Sequence, residues 1–235
     1  MTNTRFLILF DLDGTLVDPE GAITGGIADA LRNSGLPVPS PDQLRQMVGP
    51  ALVRSLIDIA GIPEHRVDEV VAKYREGYRA TGMALSRPYP GIVSAIQQLK
   101  DRGHLLAVAT QKPEWLALEL LGVQQMAGLF ASIHGSPADE REAAKLDGKR
   151  TIIAAALTAH AGTYSHAIMV GDRSHDVHGA AANGLDCLAV SWGFGTAEEF
   201  AAANAAVVVD SAEGLVRYLD ARVKQVSGTV VHGRL

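Results

Sequence analysis

The run FLILFDLDGTLVD, Phe6 through Asp18, organises the reading of the 235-residue chain. Five consecutive apolar residues that stop at a charge predict a short strand buried on both faces, as in a parallel sheet covered by helices. The polar stretch that follows begins at the carboxyl end of that strand, where open parallel sheets bind their ligands. Side chains alternate along an extended chain, so Asp11 and Asp13 are expected to point the same way. Gly14 then supplies a turn with no side chain to obstruct an approaching ligand.

Similar short apolar runs recur at 105–109, 167–170, 187–191 and 206–209. Helical patterns separate them. Ile92, Ile96 and Leu99 share a face that Gly103 terminates, and Pro113 suits a first helical position before Leu116, Leu120 and Gly122. Thr196 and Glu199 have capping-box spacing, and Ser211 can cap a last helix through Leu215 and Leu219. Apolar strands alternating with helices predict an α/β fold, a doubly wound parallel sheet. One connection breaks the rhythm. From Asp18 to Leu85 the periodicity is helical, with Ile23, Ile27 and Leu31 on one face and Val67, Val70, Tyr74 and Tyr78 on another. Ser40-Pro41 opens a further helix, and Gly49-Pro50 interrupts before Leu52 and Leu56. The expected domains are an α/β core of residues 1–18 and 86–235, with an inserted helical cap at 19–85. Residues 86–91, with two prolines, read as the exit linker, and the tail from Val226 has no clear pattern.

Composition excludes several classes. The chain is 47% hydrophobic and 20% charged, an ordinary globular balance rather than a disordered one. Lys and Arg total 21 against 26 Asp and Glu, a net charge of -5, which disfavours a nucleic-acid polymer as partner. The single cysteine, Cys187, rules out an intrachain disulfide and a cysteine-based zinc site. No run reaches the length of a membrane span, and the first apolar run is too short for a secretory signal; a cytoplasmic protein with no membrane partner is expected.

The strand ends carry the chemistry. The first runs into Asp11 and Asp13, the second ends at Thr110, and the third ends at Gly171-Asp172. Carboxylates gathered this closely either hold protons or hold a cation. Oxygen ligands without cysteine suit Mg²⁺, which keeps waters and binds a substrate phosphate, better than zinc.

DLDGTLVD at 11–18, the threonine of AVATQKP at 107–113, Lys149 and MVGDRSHD at 169–176 together resemble the four motifs of the haloacid-dehalogenase superfamily. The similarity runs to the last helix and includes the inserted helical segment. GDRSHDVHGAAANG followed by WGFGTAEEF resembles the phosphoglycolate phosphatase and 5′-nucleotidase-like members. The resemblance implies Asp11 as a nucleophile that becomes phosphorylated, and Asp13 as general acid and then base. It implies Mg²⁺ held by Asp11, the backbone carbonyl of Asp13 and Asp172, with Asp176 and Thr15 supporting those ligands. Thr110 and Lys149, with Leu12 and Asp13, would bind the phosphoryl oxygens. Lys145 is the alternative motif lysine, but Lys149 directly precedes the expected helix at 151–157. Gln111 stands where the group usually has serine, and Pro19 follows Asp18 where serine is common.

The implied activity is a Mg²⁺-dependent phosphatase for a small phosphomonoester, phosphoglycolate- or nucleotide-like, working as a monomer or weak homodimer. A phosphotransferase or mutase would share Asp11. A receiver-type signalling module also uses a strand-end aspartate, but the paired aspartates and the inserted segment disfavour it. Arg54 and Tyr78 are the candidates to select substrate, with Arg45 and Tyr74 near them in the sequence. Elsewhere the commoner reading is the plainer one: Lys112 facing solvent, Arg173 in a surface pair, His175 and His178 outside any metal site, and Trp115 and Cys187 as packing residues.

Overall fold

Strand β1 (Phe6–Phe10) is buried along its whole length because it lies between two parallel neighbours with helices on both faces. The computed structural model describes residues 5–19 and 21–231. From β1 the chain turns into β2 (Val17–Asp18) and enters helices α1 (Ala22–Asn33), α2 (Pro41–Gln46), α3 (Leu52–Asp58) and α4 (Val67–Gly77). A π-helical turn, Tyr78–Gly82, joins α4 to the short α5 (Met83–Leu85). Then follow β3 (Arg87–Pro88), α6 (Ile92–Asp101), β4 (Leu105–Pro113) and α7 (Glu114–Val123). The remainder runs β5 (Ser132–Ser136), α8 (Glu140–Lys145), α9 (Gly148–Ala159), β6 (His166–Gly171) and α10 (Ser174–Ala181). It closes with β7 (Asp186–Val190), α11 (Ala197–Ala202), β8 (Val207–Val209) and α12 (Ala212–Val231).

The main sheet has six strands in the order β5-β4-β1-β6-β7-β8, all parallel. Chain order runs outward from β1 in both directions, so the topological switch point lies at the carboxyl end of β1. Alternation within that strand divides the interior. Ile8 and Phe10 face one apolar cluster, and Leu7 and Leu9 face the other with Ile152, Ile153 and Met169. The first cluster extends without a break into Ile23 and Ile27 of α1 and Val70 and Tyr74 of α4. Ser40-Pro41 opens α2 as expected, and Ser40 caps it by exchanging hydrogen bonds with Gln43 in both directions.

Several local expectations are corrected. Strand β5 has no counterpart among the apolar runs, because Ser132-Ile133-His134-Gly135-Ser136 offers one large apolar side chain at a half-buried sheet edge. Pro113 ends β4 instead of opening α7, which begins at Glu114. Within the expected linker, Arg87–Pro88 pairs antiparallel with Val17–Asp18, a two-stranded tie at the entry and exit of the helical segment. Thr196 accepts from Glu199 N at 3.2 Å, but the Glu199 carboxylate turns to Arg173 and Ser174, so the reciprocal half of that capping box does not form. The tail from Val226 continues as helix to Val231; residues 232–235 lie outside the described residues. No helix among the described residues is long and apolar enough to cross a membrane.

Candidate active site

At the end of β1 the chain is fixed by its own backbone. Asp11 N donates to Val170 O at 2.9 Å, and Gly14 N and Leu16 N close the turn onto Val17 O and Leu12 O, each at 2.9 Å. Asp11 and Asp13 are thereby held at the sheet edge, both buried and both lining one pocket. Leu12 between them is fully buried in the core.

Asp172 leaves the end of the adjacent β6. Its Oδ1 accepts from Thr15 Oγ1 at 3.0 Å and its Oδ2 from Phe194 N at 2.8 Å. Asp176, in the first turn of α10, accepts from Arg173 N at 3.0 Å. Carboxylate oxygens of Asp11, Asp172 and Asp176 lie within 4.8 Å of one another. Lys149, in the first turn of α9, places Nζ 2.8 Å from Asp11 Oδ1 and 2.7 Å from Asp176 Oδ1, and donates to Ala109 O at 3.0 Å. Lys145 lies on the surface, paired with Glu142.

Three buried carboxylates face one buried ammonium here. Burial drives Asp172 well above the usual carboxylate range, and the charges of Asp11 and Asp176 push it further. Asp176 is pushed up to about 6, burial outweighing its pairing with Lys149. Burial acts to lower Lys149, but Asp11 and Asp176 outweigh it and hold the ammonium charged. The excess negative charge and oxygen-only donors fit a hard divalent cation. A further sign is that Asp11 Oδ1 and Asp176 Oδ1 meet Lys149 at ion-pair distance without accepting a well-directed hydrogen bond.

The Asp13 carboxylate is not part of that cluster. Its Oδ2 pairs with Lys112 Nζ at 2.7 Å. Thr110, buried in β4, accepts from Lys112 N at 3.3 Å. Gln111 reaches outward instead, donating from Nε2 to Gly49 O at 3.1 Å. Arg173, between β6 and α10, makes a similar reach: its Nε donates to Glu199 at 3.0 Å and its Nη1 to Val48 O. Gln111 and Arg173 thus hold the loop between α2 and α3 by its backbone carbonyls. The pocket is bounded below by Asp11, Asp13 and Thr110, and above by that loop with Ile23, Tyr74 and Arg75.

The sequence-nominated residues therefore divide. Asp11, Asp13, Thr110, Lys149, Asp172, Asp176 and Thr15 converge at one sheet edge. Arg54 is not among the lining residues; its Nε donates to Ala144 O at 2.7 Å beside a neighbouring pocket that Lys149, His175 and His178 also line. Tyr78 is fully buried and lies behind the pocket wall, against Tyr74, 5.7 Å between ring centroids, and Lys112, whose Nζ lies 4.5 Å from its ring centroid.

Lys112 faces inward and Arg173 is partly buried, correcting the solvent and surface-pair expectations for both. Strand alternation could have placed Lys112 beside Thr110, two residues before it. Arg75, paired with Glu140 at 2.6 Å in the pocket wall, and Ser136, at the end of the unforeseen β5, also went unnoticed. Recognising β5 would have exposed Ser136, whereas no local pattern marks Arg75.

The family model for haloacid dehalogenase-like hydrolases matches residues 8–190. A 5′-nucleotidase of Pseudomonas aeruginosa is 38% identical over 199 residues, covering 83% of this chain and 86% of that protein. Tyrosine-protein kinase PtkA of Mycobacterium tuberculosis is 37% identical over 209 residues, covering 88% and 69%. A phosphoglycolate phosphatase of Caulobacter vibrioides is 35% identical over 209 residues, covering 87% and 86%. The crystal structure of a predicted phosphatase from Clostridium acetobutylicum superposes with a TM-score of 0.83 at 34% identity, covering 92% of this chain and 98% of that one.

Proposed function

This chain belongs to the haloacid dehalogenase-like hydrolase family and is a phosphoric monoester hydrolase; on that premise we propose that it cleaves a small phosphomonoester through a phosphorylated Asp11 with Mg²⁺ bound. The observation that carries this reading is the buried set of Asp11, Asp172 and Asp176 around Lys149. Asp11, Asp172 and the Asp13 backbone carbonyl would hold the ion, with Asp176 and Thr15 behind them. Bound there, Mg²⁺ would offset charge on the transferring phosphoryl group.

The residues of the chain do the rest. An Asp11 carboxylate oxygen attacks phosphorus, and the bond from phosphorus to the leaving oxygen breaks as the Asp13 carboxyl gives that oxygen its proton. Water then attacks phosphorus, its proton passes to the Asp13 carboxylate, the Asp11–phosphorus bond breaks and phosphate departs. Thr110 and Lys149, with Leu12 and Asp13, would position the phosphoryl oxygens. Residues 19–85 would serve as the cap over a core of 1–18 and 86–235. The pocket holds about 50 Å³, room for a few waters, and separation of the helices from the sheet edge would make room for an organic leaving group.

The related names favour phosphoglycolate- or nucleotide-like substrates. A second reading keeps the phosphorylated Asp11 but delivers phosphate to a hydroxyl other than water, and the similarity to a protein named a tyrosine kinase supports keeping it. The test is a panel of phosphomonoesters with and without Mg²⁺, ranked by kcat/KM, in which phosphate is traced into water or into added hydroxyl acceptors. Mg²⁺-dependent release of inorganic phosphate over many turnovers is expected. No turnover of any panel member would defeat the reading.

A further inference from the structure

We propose that Lys112 is a positioning residue for Asp13, and that Tyr78 in the helical segment sets Lys112 in place. The role rests on the phosphatase reading above. The geometry is a relay of three side chains. Lys112 Nζ grips one oxygen of Asp13, Oδ2, at 2.7 Å, while Oδ1 is buried without a hydrogen-bond partner among the described residues. A carboxylate held by one oxygen and lining the pocket presents the other to whatever atom occupies that space. The same ammonium lies over the Tyr78 ring, 4.5 Å from its centroid, a cation–π distance in a buried setting.

Tyr78 is itself confined. It begins the π-helical turn between α4 and α5, an insertion in the helix of a kind that often marks functional positions. A Cβ at Gly82, at the end of that turn, would lie 2.6 Å from Tyr78 Cδ2, so the glycine leaves room for the ring. The Tyr78 hydroxyl lies 3.5 Å from Ser86 Oγ. The ring face thus comes from the helical segment and the carboxylate from the turn after β1, and Lys112 of β4 contacts both. Moving the helices away withdraws one support of the lysine, so the orientation of Asp13 is tied to closure.

A proton donor that is out of place costs most when the leaving group needs a proton. Lys112→Met should therefore lower kcat on the best alkyl phosphomonoester of the panel by about tenfold or more, with KM changing by less than about threefold. The pre-steady-state burst of p-nitrophenolate from p-nitrophenyl phosphate, whose leaving group departs unprotonated, should slow by less than about threefold. Tyr78→Leu should repeat the same selective pattern, whereas Tyr78→Phe, which keeps the ring face and loses the hydroxyl beside Lys112 and Ser86, should show a smaller loss of the same kind.

Equal losses on both substrates, no loss in Lys112→Met, or equal losses in Tyr78→Phe and Tyr78→Leu would overturn the role. If Lys112→Met fails to fold in a thermal melt, the comparison of Tyr78→Leu with Tyr78→Phe decides alone. A wild-type protein that cleaves neither substrate would defeat the phosphatase reading itself, an outcome distinct from an active wild type without the selective pattern.

Discussion

Gly14 backs directly onto the Asp172 carboxylate: a Cβ at position 14 would lie 2.2 Å from Asp172 Oδ2. The backbone there has φ of +88°, a conformation that side chains disfavour. Contact and conformation act together, so the turn after β1 and the end of β6 form one site only while residue 14 is glycine. Gly14→Ala should displace Asp172, lower stability by about 1–3 kcal/mol and weaken Mg²⁺ binding by about tenfold or more. Thermal melts and calorimetric Mg²⁺ titration check both.

Metal-free protein should lose stability as pH rises from about 4 to about 6. Burial raises the Asp176 carboxyl from an ordinary 3.8 to about 6, and Asp172 moves the same way. Between those values the folded state holds protons that the unfolded chain has released, so its contribution is full at the acid end and declines as the groups ionise. Mg²⁺ should stabilise the fold more at pH 7 than at pH 5. Denaturant unfolding in EDTA and in Mg²⁺ across this range measures the difference, and a metal-free stability that rises through the window would contradict the electrostatics described.

Much of this arrangement was legible in the residues. The strand-end aspartates, Thr110 and the Gly171-Asp172 turn each followed an apolar run, and apolar runs are the plainest signal a buried parallel strand leaves. Lys149 could be chosen over Lys145 because it stood next to a helical pattern, and the two prove to be buried and exposed respectively. The contacts made by the helical segment were not legible. Arg54 and Arg75 look alike in sequence, yet one is occupied by Ala144 O and the other faces the pocket, because their directions depend on how α3 and α4 dock. β5 was hidden because its polarity suits a half-buried edge, and Arg173 because its partners Glu199 and Val48 lie 26 and 125 residues away.

Arg173→Ala should loosen the loop between α2 and α3 from the end of β6. The guanidinium joins Glu199 to Val48 O, and alanine removes both contacts and leaves Glu199 with one fewer cation. A loss of about 1–3 kcal/mol in stability is expected. KM for phosphomonoesters should rise more than kcat falls, since the reacting carboxylates are untouched. Steady-state kinetics beside a thermal melt tests this, and a fall in kcat at constant KM would place Arg173 in the chemistry instead.

In the proposed mechanism Asp11 carries the phosphoryl group. Acid-quenching the protein during turnover of a phosphomonoester in Mg²⁺, then mapping peptides by mass spectrometry, tests it most directly. Phosphate is expected on Asp11 in wild type, and Asp11→Asn is expected to be a folded protein with neither the modification nor turnover. Sustained turnover by folded Asp11→Asn, or phosphate trapped on a different residue, would contradict it.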